Sequence, residues 1–157
     1  MFEIENWNQD HIADEFHGIP VETLKTGPRK GRGEVILAIE DEELLRDLLQ
    51  TILEESGYRV LLAANGTEGV QIYMKHMDEI SLVLLDMGLP KMSGEEVLSR
   101  LVSTKLGVKV VSVSGSIEPE VRESAIRSGA VDYLPKPYMM EDILMKVEST
   151  LHGTRVS

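Results

Sequence analysis

The sequence predicts an α/β domain: a parallel sheet of five strands with helices on both faces. Three observations carry this. Val35–Ile39 (VILAI) and Ser81–Asp86 (SLVLLD) are continuous apolar runs rather than alternating ones, the mark of strands buried on both faces. Five strand-like stretches alternate with five stretches of helical period, and such alternation means crossover helices packed over a parallel sheet. The apolar runs also stop abruptly at acids, serines or a lysine, so polar groups collect at their carboxyl ends, where open α/β sheets hold ligands.

The chain in order supports each element. Met1–Pro20 is acidic and polar, with Phe2, Ile4, Trp7, Ile12, Phe16 and Ile19 scattered through it, and Thr26–Gly33 is a Gly/basic linker. Residues 1–33 are therefore expected to be a flexible tail and linker, the alternative being that Trp7 and Phe16 dock on the domain or a partner. The domain itself is expected over 34–152, with a short tail at 153–157. After Val35–Ile39 come Glu40-Asp41-Glu42, then Leu44, Leu45, Leu48, Leu49, Ile52 and Leu53 at helical spacing, closed by Ser56-Gly57. Tyr58–Leu62 reads as a strand. Asn65-Gly66-Thr67 turns the chain into a helix carrying Val70, Ile72, Tyr73, Met74 and Met77. Ser81–Asp86 ends at Met87-Gly88-Leu89-Pro90, and a helix from about Gly94 carries Val97, Leu98, Leu101 and Val102. Val108–Val113 leads to Ser114-Gly115-Ser116, followed by a helix with Val121, Ala125 and Ile126 that stops at Ser128-Gly129. Val131–Leu134 is a short strand broken by Pro135-Lys136-Pro137, and Met140–Leu151 is the last helix, with Ile143, Leu144, Val147 and Leu151 inward. Right-handed crossovers leave few strand orders, among them a flavodoxin-like one and a half-Rossmann one, and periodicity does not choose between them.

Composition narrows the function. The 157 residues suit one domain with a short appendage, and 42% hydrophobic with 27% charged residues is an ordinary globular balance. The absence of cysteine removes disulfides, thiolate metal sites and cysteine nucleophiles, and fits a reducing cytoplasm. No apolar stretch approaches the ~20 residues of a membrane span, and the amino terminus is no signal peptide. A net charge of −11 argues against direct grip on a nucleic-acid backbone.

In a parallel sheet the strand ends all point one way. Glu40 and Asp41 after the first strand, Asp86 at the end of the third, Ser114 after the fourth and Lys136 after the fifth can therefore converge. Hard oxygen donors without His or Cys suit magnesium. Crowded carboxylates without a cation repel, and at least one of them shifts its pKa upward. Each residue also has a plainer role: Asp41, Glu42 and Glu43 can cap or flank a helix start, Ser114 can turn the chain, and Lys136 can sit on the surface. Lys136-Pro137 is in addition a candidate cis peptide.

Together, ILAIEDE (36–42), LVLLDMGLP (82–90), VVSVSG (110–115) and DYLPKP (132–137) resemble the receiver domain of two-component response regulators, over about Glu34 to Leu151. The resemblance implies a flavodoxin-like five-stranded parallel sheet in order 2-1-3-4-5 with five helices. It implies Asp86 as phosphoryl acceptor, and magnesium held by Asp41, Asp86 and the backbone carbonyl of Gly88, with Glu40 assisting directly or through water. Lys136 would pair with the acyl phosphate, Ser114 would hydrogen-bond it, and Tyr133 matches the aromatic switch position. The donor would be a sensor histidine kinase or phosphotransfer protein. The Glu118–Leu151 face (fourth helix, fifth strand, fifth helix) would bind a downstream protein, with room for a phosphorylation-dependent homodimer. Two departures from the commonest pattern are Glu40-Asp41 in place of two aspartates and Ser114 in place of threonine.

Such a chain would be no enzyme beyond catalysing its own phosphorylation and dephosphorylation, and would be cytoplasmic, with no membrane and no direct nucleic-acid contact. Three other readings fit less well. An aspartate-nucleophile phosphatase wants a second aspartate where Gly88 stands. In a flavodoxin, Glu40-Asp41-Glu42 would repel the flavin's phosphate. A degenerate receiver should lack Asp86 or Lys136. Only His152–Ser157 follow Leu151, so the expectation is a stand-alone receiver, the alternative being the receiver portion of a hybrid sensor kinase.

Overall fold

The computed structural model describes residues 31–116 and 118–153. The expectations placed on Met1–Lys30, including any docking of Trp7 and Phe16, and on the last four residues fall outside the described residues.

Among the described residues ten elements follow one another as β1 (Val35–Ile39), α1 (Glu43–Glu55), β2 (Arg59–Ala63), α2 (Gly66–His76), β3 (Ile80–Asp86), α3 (Gly94–Thr104), β4 (Val110–Ser114), α4 (Pro119–Arg127), β5 (Asp132–Pro135) and α5 (Met140–His152). All strands are parallel, in the order β2-β1-β3-β4-β5. Period-two alternation along β1 explains why VILAI is apolar throughout. Leu37 and Ile39 face a core shared with Tyr73, Leu98, Leu101 and Ala125 of α2, α3 and α4. Ile36 and Ala38 face the opposite core, built with Leu49, Leu53, Ile143 and Val147 of α1 and α5. The five residues of β1 are all buried.

Local signals set the helix ends. The Asn65 side chain accepts from the Glu68 amide at 2.9 Å, and Ser93 accepts from the Glu96 amide at 3.1 Å, each an N-cap. Ser56 and Gly57, with φ of +95° at the glycine, close α1. Glu42 occupies the N-cap position of α1, yet its side chain makes no cap bond, so the capping role expected there is not played. The peptide between Lys136 and Pro137 is cis.

Several expectations need correction. The second, fourth and fifth strands begin one or two residues later than their apolar runs suggest. Ser114 ends β4 rather than turning the chain after it, and β5 runs through Pro135. Leu44 is 83% and Leu48 47% exposed, because Leu49, Ile52 and Leu53 set the inward direction of α1 and the other two lie at the margin of its apolar stripe. Met74, Ile126 and Val131 are exposed as well. Among the described residues no helix is long and apolar enough to cross a membrane.

Candidate functional site

Register brings the chemistry together. Ile39 of β1 lies beside Leu85 of β3, so Glu40 and Asp86, the next residues on each strand, are neighbours at the same rim. Asp86 lies beside Val113 and Ser114 beside Pro135, which places Lys136 at that rim one residue later. Glu40, Asp86 and Ser114 are buried. Each stands at, or one residue past, the end of its strand.

Lys136 Nζ lies 3.0 Å from Glu40 Oε1 and 3.4 Å from Asp86 Oδ2, and so bridges the two buried acids. Glu40 Oε2 accepts from the Glu42 amide at 3.2 Å, and Asp86 Oδ1 from the Gly88 amide at 2.9 Å. Carboxylate oxygens of Glu40, Asp41 and Asp86 come within 4.8 Å of one another, with Asp41 exposed to solvent. An oxygen-only donor set with one open member could hold a hard divalent cation.

The expected conflict between acids falls on Glu40. Burial pushes its pKa up to about 7; Lys136 pulls the other way, and the Asp86 charge adds to the rise. Lys136 is held above its ordinary value: burial alone would lower it, but the Glu40 hydrogen bond and the Asp86 charge outweigh that.

A hydrogen-bonded chain leads away from the acids. The Ser116 amide donates to Ser114 Oγ at 3.1 Å. The Ser116 carbonyl in turn accepts from the Tyr133 hydroxyl. The Tyr133 ring is buried, and the Arg122 guanidinium of α4 sits 5.9 Å from its centroid. Tyr133 also lines a groove of about 680 Å³ between α4 and β5, together with Pro119, Arg122, Ile126 and Pro135. The structure thus brings Glu40, Asp41, Asp86 and Lys136 into one cluster, with Gly88 bonded to it, and ties Ser114 to Tyr133 through Ser116.

Three contributors escaped the sequence. Arg46 Nη1 donates to the carbonyls of Glu40 and Asp41 at 2.8 and 2.9 Å, pinning the acid-bearing loop from the first turn of α1. Tyr138 is partly buried against the α1/α5 core, and burial with the Glu40 charge pushes its hydroxyl pKa up to about 12, so that hydroxyl lies in the field of the acid cluster. The Ser116 backbone is the third. An arginine one helical turn past the acids was the only available signal, and charged helix residues of that kind are commonplace.

Comparison with known proteins agrees with the geometry. The family model of the response regulator receiver domain matches residues 36–148. An uncharacterized transcriptional regulatory protein, YkoG of Bacillus subtilis, is 38% identical over 122 residues, covering 76% of this chain and 53% of the relative. The chain thus spans about half the length of the curated relatives it matches. A response regulator receiver domain protein from Clostridium thermocellum superposes with a TM-score of 0.71 at 29% identity, over 74% of this chain and 93% of the other. A Burkholderia pseudomallei response regulator, solved with a phosphorylated aspartic acid, a calcium ion and citrate, gives a TM-score of 0.66 at 25% identity, over 76% and 66% of the respective chains.

Proposed function

Because this chain belongs to the response regulator receiver domain family, we propose that it takes a phosphoryl group onto Asp86 from a phosphohistidine of a kinase or phosphotransfer protein. The observation that carries this is Asp86 itself: a buried carboxylate 3.4 Å from Lys136, within 4.8 Å of the Glu40 and Asp41 carboxylates, at the rim where β1, β3 and β5 end.

In the transfer, a carboxylate oxygen of Asp86 attacks phosphorus, the P–N bond breaks, and the imidazole leaves with the electron pair and takes up a proton. The Lys136 ammonium stands where it can neutralise charge on the incoming phosphoryl oxygens, and fixed electrostatics of this kind supply most of phosphoryl-transfer catalysis. Asp41, Asp86 and the Gly88 carbonyl, with Glu40 assisting, would hold magnesium, which would add further charge neutralisation when bound. The donor set supports this assignment, being all hard oxygen with one member open to water. The chemistry is confined to the chain's own phosphorylation and dephosphorylation.

Output follows from the Ser114–Ser116–Tyr133 chain. If Ser114 Oγ turns to the phosphoryl group, the Ser116 amide loses its acceptor, and the Ser116 backbone, whose carbonyl on the next peptide unit holds the Tyr133 hydroxyl, must adjust. That would shift α4, β5 and α5 between two populations and alter the groove beside Tyr133 for a downstream protein or a second copy. The −11 charge supports a protein rather than a nucleic-acid partner for this segment.

The test is incubation with acetyl phosphate or phosphoramidate plus magnesium, read by intact mass. One phosphoryl adduct should form on the wild type and be absent in Asp86→Ala and in chelator. An adduct persisting in Asp86→Ala would overturn the assignment.

A further inference from the structure

The rim opposite the acids carries a second built feature. The Gly/basic stretch that reads as a linker does not hang free where it meets the domain. The Gly31 amide donates to the Ser56 carbonyl at 2.6 Å and the Gly33 amide to the Gly57 carbonyl at 2.9 Å. The Arg59 amide donates to the Glu34 carbonyl at 2.9 Å, and Arg59 Nε to the Gly33 carbonyl at 3.1 Å. Residues 31–34 therefore lie along the α1–β2 turn, at the amino end of the edge strand.

Two glycines make that approach possible. A Cβ at Gly31 would stand 2.5 Å from Cδ1 of the Tyr58 ring, so any other residue would be driven off the ring face. Gly57 has φ of +95°, and a Cβ there would collide with the Gly31 carbonyl. Each glycine is required by the other segment's backbone or ring, which is the signature of a docked segment rather than a spacer. Beneath it, the Tyr58 hydroxyl is buried and has no hydrogen-bond partner among the described residues. Glu34 closes the arrangement, with Oε2 2.9 Å from His152 Nε2 at the last turn of α5 and Oε1 accepting from the Arg32 amide.

The geometry points to a fixed joint: Gly31–Glu34 is a strap docked along the α1–β2 turn at the sheet rim opposite the acid cluster, with Glu34–His152 tying the strap to the end of α5. Through that tie a displacement of the end of α5 is felt at Glu34 and along the strap. This joint does not rest on the phosphoacceptor reading, since none of its residues touches the acid cluster.

Amide exchange of the full chain, resolved by NMR, tests it. In the wild type the amides of Gly31, Arg32 and Gly33 should exchange at least tenfold more slowly than random-coil rates; exchange at random-coil rates overturns the strap. In Gly31→Val that protection should vanish and trypsin cleavage after Arg32 should speed up at least tenfold, while β1 and β3 amides stay protected. Unchanged protection and cleavage in a folded Gly31→Val protein count against it. His152→Ala should lower the protection of the same three amides at least threefold; no change there removes the tie to α5.

Discussion

The Tyr133 hydroxyl donates to the carbonyl of Ser116, whose own amide donates to Ser114 Oγ at 3.1 Å. The backbone of one residue, Ser116, thus links the Ser114 hydroxyl at the strand-end rim to the Tyr133 ring, through the peptide units on either side of its Cα.

Tyr133→Phe should keep the fold and the phosphoryl adduct but lose the coupling. A single neutral hydrogen bond contributes about 1 kcal/mol, so the loss of stability should be of that order. Hydrogen exchange across Pro119–Arg127, with and without acetyl phosphate and magnesium, should respond in the wild type and respond far less in the variant. An equal response in both would show that the hydroxyl is not part of the path.

Arg122 lies 5.9 Å from the centre of the Tyr133 ring. A cation over an aromatic face at a partly exposed site contributes about 0.5–1 kcal/mol. Arg122→Ala should therefore loosen Tyr133 modestly, seen as broadening of its ring resonances, with adduct formation unchanged. Slowed adduct formation would place Arg122 in the chemistry instead.

Lys136→Ala should still accept phosphate on Asp86, but slowly. Loss of one fixed charge-stabilising group typically costs about 10²–10³-fold in rate. The fold should survive, because Glu40 can take up a proton once its partner is gone; burial already carries its pKa to about 7. Adduct formation at the wild-type rate would remove Lys136 from the site's chemistry.

Glu40 also predicts a pH dependence for the metal-free protein. Its folded pKa of about 7 lies above the ordinary 4.5, so the folded state binds its proton more tightly than the unfolded chain. That contribution to stability is complete below about pH 4.5 and is lost as pH rises through about pH 7. In chelator, thermal unfolding should therefore fall more steeply over this window in the wild type than in Glu40→Gln. Parallel curves would contradict the assignment.

Magnesium should raise the unfolding temperature, the stabilisation growing with the logarithm of its free concentration above the dissociation constant. At one hundred times its dissociation constant a ligand of the native state stabilises by about 2.7 kcal/mol. Asp41→Asn should abolish most of that shift, measured by differential scanning fluorimetry, while leaving the metal-free protein nearly as stable, because the Asp41 side chain is exposed. A full magnesium shift in Asp41→Asn would move the cation elsewhere.

Much of this molecule could be read from local pattern. The continuous apolar runs announced strands buried on two faces, Asn65 and Ser93 announced helix starts, and Ser56-Gly57 announced a stop, because each signal acts within one turn or one strand. The acids, the serine and the lysine were legible as candidates for the same reason: each stands at or just past the point where an apolar run ends. What needed the tertiary structure were relationships between distant segments. Lys136 meets Glu40 across 96 positions, Arg46 turns back to hold the acid loop, and Tyr133 finds Ser116 rather than solvent. A hydrophobic period likewise specifies a stripe but not its exact edge, so Leu44, Leu48 and Ile126 share the period of buried neighbours and yet lie exposed. The Gly31 strap was hidden most completely. Glycine in a sequence reads as freedom, and only the Tyr58 ring packed against it shows that here it serves close approach.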